Sequence, residues 1–484
     1  MMNLHQSNDS SIEASPTDCD DFVLVDAVFR DYDIRGLAGS ELNSEFALRL
    51  GKAVGQIILN LGENAVYIAR DGRLSSDALS ESLCLGLRHS GCNVFDLGQT
   101  ATPVLNFAIC HRDTATCGVM ITASHNPGHY NGFKIVLEGQ VILAEGLEDL
   151  KVIMAANNVP MAPEGNLVSL DVVPSYLDFI VATNKVSRPF KLVIDGGNSV
   201  SGPLAVALFK RLGCTVDPLF CSVDGNFPNH DPNPSEQQNL QPLITQVIST
   251  GADLGLAFDG DGDRLVVISQ RGEIVWPDRL MMIFAQTLLI EHPGSTIVFD
   301  VKSSKRLGEL VEQYSGVPVM CKTGHSHIRK AVRDNNALLG GEFSGHIFFN
   351  DRWRGFDDGC YAAMRLLEIL SVEWHGQTYS LDQIIGEFKE TSYTPEILVP
   401  VAEDAKFEIM KTLVSQCHFT GGTISCLDGL RVEYENGWGL IRASNTTPNL
   451  TLRFEAENDI ELEIVKQHFH KALSPFINNI EDHI

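Results

Sequence analysis

One unit recurs three times along this chain, and it constrains the fold more than any other feature. It begins with a short apolar run ending in Asp: Val66-Tyr67-Ile68-Ala69-Arg70-Asp71, then Leu192-Val193-Ile194-Asp195, then Ile297-Val298-Phe299-Asp300. Each run is rich in β-branched or aromatic residues and too short for a helix, so it reads as a buried strand. A small polar loop follows (72–76, 196–199, 301–304), and each loop opens a helical pattern. Leu79, Leu83 and Leu87 mark the first helix, Leu204, Ala207 and Leu208 the second, and Leu307 and Val311 the third. Gly91, Gly213 and Gly316 stand where these helices should stop. Second strands are expected at 93–97, 215–220 and 317–321. Another helix and a third strand follow in each, the strands at 117–122, 252–258 and 337–341. The order β-α-β-α-β, three times over, predicts three related α/β domains with mixed, largely parallel sheets. Ligands of such sheets sit beyond the carboxyl ends of the strands, so the residues just past each third strand are the place to look.

The segment from about 393 onward breaks the repeat. It has Pro395 and Pro400, a helical pattern near 405–415, hairpin signals at Gly421-Gly422 and Asn436-Gly437, and a helical stretch over 458–473. It reads as a separate α+β domain. The expected organisation is a disordered acidic tail over 1–24, α/β domains over 25–169, 170–273 and 274–388, and the α+β domain over 389–484. Residues 1–21 hold five acids, no basic residue and no apolar core, so they do not look like a signal peptide.

Charge narrows the function classes. The 484 residues include 36 Lys or Arg and 62 Asp or Glu, a formal net charge of −26. That balance argues against nucleic-acid binding and against attachment to anionic membranes. A small phosphorylated ligand, which needs only a few local cations, remains compatible. No apolar run reaches the roughly 18 residues of a membrane span. The 11 Cys form no CxxC pair and read as buried thiols of a cytoplasmic protein. Walker A, HExxH and dinucleotide GxGxxG patterns are missing.

Four motifs carry candidate chemistry. Asp259-Gly260-Asp261-Gly262-Asp263-Arg264 follows the third strand of the second unit. Alternate carboxylates of an extended loop point one way, the Gly residues allow a tight curve, and hard oxygen ligands suit Mg²⁺. An EF-hand is excluded by Arg264 at its sixth position and Gln270 at its twelfth. Thr122-Ala123-Ser124-His125-Asn126-Pro127 sets a Ser in a turn. Its hydroxyl is a nucleophile only when activated, it can carry phosphate as an ester, and an ordinary turn fits as well. Gly341-Glu342-Phe343-Ser344-Gly345-His346 offers groups for sugar hydroxyls, or is a plain polar loop. Arg442-Ala443-Ser444-Asn445-Thr446-Thr447-Pro448 combines a bidentate fork with hydroxyls and an amide, a phosphate-binding set or a Ser/Thr-rich loop. Three equivalent ends of three repeats thus carry polar, Gly-rich motifs, which points to one composite site between domains.

Taken together and in this order, the motifs resemble the α-D-phosphohexomutase superfamily, and most of all its bacterial phosphomannomutase/phosphoglucomutase branch. The likeness runs from Phe29-Arg30-Asp31-Tyr32-Asp33-Ile34-Arg35-Gly36 to Leu452-Arg453-Phe454-Glu455-Ala456, nearly the whole chain beyond the tail. It implies three related α/β domains and a TBP-like last domain around a central cleft. It implies that Ser124 is a phosphoserine and that Ser124, Asp259, Asp261 and Asp263 hold Mg²⁺. Arg35, His125, Lys134 and Arg264 would lie near the phosphoserine. Glu342 and Ser344 would bind sugar hydroxyls, with Tyr32, Lys302, His325 and His346 lining the sugar site. Arg442, Ser444, Asn445, Thr446 and Thr447 would hold the non-transferring phosphate, with Arg453 close by. Arg35, Lys134 and His346 are the candidate bases.

The implied reaction interconverts hexose 6-phosphate and hexose 1-phosphate, of mannose or glucose, through a bound hexose 1,6-bisphosphate that also serves as activator. Phosphorylated hexoses are the expected partners, without nucleic acid or membrane, and the chain is expected to be a monomer or weak dimer. Two other readings stand beside it. One is a phosphoglucosamine mutase, a branch with a different final loop pattern. The other is a non-catalytic sugar-phosphate binder, which degenerate motifs would favour; here Ser124, the three Asp residues, Glu342 and Arg442 are all present.

Overall fold

The three units each fold around a parallel core whose first strand lies in the middle. In the computed structural model, which describes residues 22–484 except 113, 161, 375–376, 403–404, 445–447 and 478–479, Ala65–Arg70 is flanked by Asn93–Gln99 and Gly118–Ile121. Lys191–Asp195 is flanked by Thr215–Leu219 and Leu254–Phe258, and Thr296–Asp300 by Val317–Cys321 and Leu339–Gly341. Parallel neighbours need a crossover, supplied by Ser76–His89 and Thr102–His111, Ser201–Arg211 and Gln241–Thr250, Lys305–Gln313 and His325–Asp334. Helices on the sheet faces explain why Leu254–Phe258 and Gly118–Ile121 are buried at every residue. The acidic tail over 1–21 lies outside the described residues. Phe22, assigned to that tail from sequence, packs 6.5 Å from the Phe46 ring with the Arg49 guanidinium 4.1 Å over it.

Each parallel core is closed by an antiparallel strand beside the third one: Tyr130–Leu137, Leu265–Ser269 and Ile347–Phe349. The three motif loops are therefore short connections between hydrogen-bonded neighbours. Ile34–Leu37 pairs with Tyr130–Leu137 in turn, setting Arg35 opposite Gly132. The second sheet continues through Ile274–Val275, past the boundary read at 273. A turn with Gly272 at φ 83° folds that segment back onto its neighbour. Gly91 and Gly213 end their helices in the left-handed region, at φ 97° and 82°. In the third unit Ser315 takes that conformation, at φ 61°. Gly316 answers a packing need instead, since a Cβ there would lie 2.7 Å from Leu289 Cδ2.

The last domain is antiparallel. Its strands run in the order Ser392–Tyr393, Asn449–Ala456, Gly437–Ala443, Leu430–Glu433, Thr423–Ser425, with Ile397–Pro400 also on Asn449–Ala456. Ser444 N donates to Asn449 O (2.9 Å), so the fourth motif also bridges paired neighbours. Helix Asp459–Leu473 covers the sheet through Phe469 and Leu473. One continuous apolar core runs through the three α/β domains, including Tyr67, Phe107, Leu192, Phe258, Phe284 and Phe299. The last domain has its own core around Leu413, Phe454 and Phe469. A small cluster of Val301, Trp438 and Leu440 joins it to the third domain. Buried Glu455 adds a polar tie, accepting hydrogen bonds from Ser304 Oγ, Thr391 Oγ1 and Trp438 Nε1 at 2.7, 2.8 and 2.9 Å. Among the described residues no helix is long and apolar enough to cross a membrane.

Candidate active site

Ser124 adopts φ 52°, a left-handed conformation that non-glycine residues seldom hold, and is only 1% exposed. Its backbone is gripped from both sides. Ser124 N donates to Thr122 Oγ1 (2.9 Å), and its carbonyl accepts from Arg73 Nη2 (2.8 Å). The hydroxyl then reaches out of the turn: Oγ donates to Asp259 Oδ2 at 2.7 Å and lies 3.2 Å from His125 Nδ1. Burial, and after it the charge of Arg264, pushes the His125 pKa well below its usual range, so this imidazole is neutral.

The Asp259 loop needs its glycines. A Cβ on Gly260 would lie 2.2 Å from Ser124 O, and Gly262 sits at φ 80°. The curve brings Asp259, Asp261 and Asp263 together, all buried, with ligand-capable oxygens within 4.8 Å of one another. Lys134 Nζ lies 2.6 Å from Asp261 Oδ2 and 2.5 Å from Asp263 Oδ2. Thr102 Oγ1 also donates to Asp261 Oδ2, and Arg264 Nε is 3.7 Å from Asp259 Oδ2. Burial, with the neighbouring Asp263 and Asp261 charges, pushes the Asp259 pKa up to about 8. Burial opposes ionisation of Asp261 as well, but Lys134 outweighs it and holds that group below the usual carboxylate range. Asp261 Oδ1 and Asp263 Oδ1 are buried without a well-aligned hydrogen-bond partner. Crowded hard oxygens with too few cations and two unpartnered atoms fit a divalent cation such as Mg²⁺.

The sugar-loop motif is strapped to this acidic loop. Leu265 N donates to Gly345 O (3.1 Å), and Arg264 Nε donates to His346 Nε2 (3.0 Å). The Nε2 lone pair thus faces Arg264, which places the imidazole proton on Nδ1, 2.7 Å from Asp357 Oδ2. The His325 ring is 5.3 Å from that of His346 and 4.7 Å from that of Tyr32, so the first and third domains meet here. Among the described residues, Glu342 Oε2 and Ser344 Oγ are buried and lack a well-aligned partner. Lys302 Nζ sits 3.2 Å from Glu396 Oε1 and 4.0 Å from Glu342 Oε1. Arg35, on the first domain, reaches Asn126 Oδ1 (2.7 Å) and Asp33 Oδ2 (2.5 Å).

In the last domain, buried Arg442 donates through Nε to Asp428 Oδ2 (3.1 Å), which also accepts from Thr323 N (3.0 Å), two residues before His325. Ser444 is buried beside it in sequence; Asn445, Thr446 and Thr447 lie outside the described residues. Arg453 lies on the neighbouring strand, opposite Leu440, while Arg442 faces Thr451. Arg453 is 2% exposed, stacks 3.6 Å over Phe343, and spends its donors on Lys302 O and Asp278 Oδ2. It braces the last domain against the third.

Two residues that read from sequence only as a strand end and a loop prove central to the site's geometry. Arg73 donates to four carbonyls of the Ser124 turn: Ser124 and Asn126 through Nη2, at 2.8 and 2.7 Å, and Pro127 and Tyr130 through Nη1, at 2.7 and 3.1 Å. Its Nε binds Asp71 Oδ2 (2.9 Å), which also accepts from Thr122 Oγ1 (2.7 Å). The equivalent Asp300 accepts from Ser303 Oγ, Thr323 Oγ1 and Phe343 N at 2.7, 3.0 and 3.3 Å. The repeated Asp at the end of each first strand was the available signal. In these two units it braces the loop at the end of the neighbouring third strand.

Comparison with known proteins agrees with this arrangement. Four family models match in order, described as phosphoglucomutase/phosphomannomutase alpha/beta/alpha domains I, II and III and the C-terminal domain, over residues 26–158, 174–272, 276–391 and 396–472. A phosphomannomutase/phosphoglucomutase of Pseudomonas putida is 47% identical over 450 residues, covering 93% of this chain and 96% of that protein. A phosphoglucomutase of Neisseria gonorrhoeae is 42% identical, covering 92% and 96%. The crystal structure of a phosphoglucomutase/phosphomannomutase family protein from Burkholderia thailandensis superposes with a TM-score of 0.88 at 40% identity, over 94% of this chain and 99% of that one. The chain belongs to the phosphoglucomutase/phosphomannomutase family and is a phosphohexomutase, an isomerase of phosphorylated hexoses.

Proposed function

We propose that this phosphohexomutase interconverts the 6- and 1-phosphates of mannose and glucose by passing a phosphoryl group between Ser124 and the sugar. The observation that carries the reading is the placement of Ser124 Oγ, buried in a held turn and aimed at Asp259 (2.7 Å). In the forward half-reaction the bond from phosphorus to Ser124 Oγ breaks as the free hydroxyl of the bound hexose phosphate takes the phosphoryl group, the hydroxyl proton passing to one of the candidate bases Arg35, Lys134 or His346, and a hexose 1,6-bisphosphate is left. The bisphosphate turns over, and its other phosphate returns to Ser124. On that return Ser124 Oγ is the nucleophile, and Asp259 Oδ2 and His125 Nδ1 are both within reach of its proton.

Asp259, Asp261 and Asp263, with Ser124, would hold Mg²⁺, which supplies charge neutralisation for the phosphoryl oxygens. Lys134, Arg264 and Arg35 add fixed positive charge around the transferring group. Glu342 and Ser344 bind sugar hydroxyls, while Tyr32, Lys302, His325 and His346 line the same space. Arg442 and Ser444, with Asn445, Thr446 and Thr447, anchor the phosphate that is not being transferred.

The direct test is mass spectrometry of the Ser124 peptide from protein incubated with glucose 1,6-bisphosphate. An added phosphate on Ser124 is expected; phosphate found only on another residue would overturn the assignment. Two further results follow from the geometry. Asp261→Asn should at least halve the rise in melting temperature that MgCl₂ gives the native protein, because it removes one charge from a three-carboxylate set. An unchanged rise would remove Asp261 from the ligands. Arg442→Ala should raise KM about tenfold or more with a smaller change in kcat, since a phosphate anchor used throughout the cycle contributes uniform binding. Steady-state kinetics with glucose 1-phosphate and mannose 1-phosphate checks this.

A further inference from the structure

A cavity of about 330 Å³ opens between the turn at Gly139 in the first domain and the helix His325–Asp334 of the third. The helix presents Ser326, Arg329, Lys330 and Arg333 to it, positions i, i+3, i+4 and i+7 of one face. Arg354, in the loop after Ile347–Phe349, lines the same space. Among the described residues no Asp or Glu lines the cavity, in a chain that carries 62 acids and 36 bases.

The cations are under-compensated. Arg354 makes no hydrogen bond or ion pair among the described residues. Among the described residues, Arg329 is bonded only to neutral oxygens, Asn106 Oδ1 and Gly139 O, both at 3.1 Å. Lys330 and Arg333 share one carboxylate, that of Asp334 at the flank of the helix. Ser326 is 3% exposed, and its Oγ has no hydrogen-bond partner among the described residues. Like charges gathered around a hollow repel, and a bound anion relieves both that repulsion and the unpartnered hydroxyl.

We propose that this cavity is a second anion site, taking the dianionic phosphate group of a small molecule and separate from the Arg442 anchor. A phosphate group suits it better than a single carboxylate. Its several acceptor oxygens can meet more than one guanidinium fork and the Ser326 hydroxyl together. The volume is at the lower end of the range of small-molecule sites, about 300–1,000 Å³. Arg329 already ties the first domain to the third through Gly139 and Asn106. It also lines a smaller neighbouring cavity with Lys134, Asp263 and His325. An anion here would therefore tighten the seam between two of the domains that form the catalytic cluster.

The test is calorimetric titration of the Ser124→Ala/Arg442→Ala protein, in which the two catalytic phosphate stations are disabled. Inorganic phosphate and glucose 6-phosphate are the two probes. Saturable binding of at least one is expected, weakened tenfold or more when Arg354→Glu and Arg333→Glu are added. Tighter binding of the sugar ester would identify a phosphorylated metabolite as the occupant, and tighter binding of inorganic phosphate the free ion. Arg354 and Arg333 are exposed, and a native circular-dichroism spectrum and melting temperature would verify that the reversed-charge protein is folded. As a second measurement, phosphate should raise the melting temperature of the native protein more than that of the Arg354→Glu/Arg333→Glu protein. Binding indifferent to the charge reversals, or no binding of either probe, would overturn the proposal. None of these readouts depends on turnover, so the result stands apart from the role given to Ser124.

Discussion

Ser124→Ala is expected to reduce mutase turnover by on the order of 10⁴-fold or more, because it removes the atom that accepts and donates the phosphoryl group in the proposed reaction. The fold should tolerate the change. Alanine bears the same cost as serine at φ 52°, and the lost hydrogen bond to Asp259 is worth about 1 kcal/mol. Ser124→Gly sharpens the comparison, since glycine relieves the left-handed strain by about 1 kcal/mol and should be equally inactive. A coupled assay beside thermal denaturation checks both. Two stable, inactive variants are expected; if Ser124→Ala retained more than a few per cent of native turnover, the serine would have no part in the transfer.

Arg73→Ala should be the most destabilising single substitution at the site, by about 3–5 kcal/mol, the usual cost of stripping one partner from a buried ion pair. The Arg73 side chain is fully buried, and its removal leaves the buried Asp71 carboxylate without its cation and takes a donor from four carbonyls of the Ser124 turn. Arg73→Lys separates position from charge. A lysine can restore the pairing with Asp71, but one ammonium cannot span carbonyls at Ser124, Asn126, Pro127 and Tyr130. It should recover part of the denaturation midpoint while kcat remains about 100-fold low, as expected when a reacting atom is misplaced by an ångström or so. KM should change little, because Arg73 is given no contact with the sugar. Native kcat in the Lys variant would show that the fork does not position Ser124.

The strands of the three units were legible because β-branched runs such as Leu192-Val193-Ile194 cannot serve another purpose at that length, and the structure places them at Lys191–Asp195 and its counterparts. Pairing direction was not legible. Ile347–Phe349 and Leu265–Ser269 are as apolar as the parallel strands, and nothing in their composition marks them as antiparallel closures. Gly316 misled for a related reason. Glycine can answer a need for left-handed backbone or a need for space, and a single sequence does not separate the two. At the site, motifs with several polar residues in a few positions stood out. Arg73 did not, because its role rests on carbonyls more than 50 residues away. Arg453 stood out as well, but its brace on Lys302 O, Asp278 Oδ2 and the Phe343 ring joins residues more than 100 positions apart and leaves no mark in the sequence.

All four functional loops join strands that are hydrogen-bonded neighbours. A connector pinned at both ends has little reach, so the three loops of the α/β domains cannot travel across a hexose to follow a phosphate from one end to the other. In the proposed reaction the donor is then a fixed station, and the passenger has to turn. A ligand that must be let go and caught again in reverse cannot be held by many contacts on one sugar face. The same pinned loops therefore favour tolerance toward hexoses that differ at a single carbon.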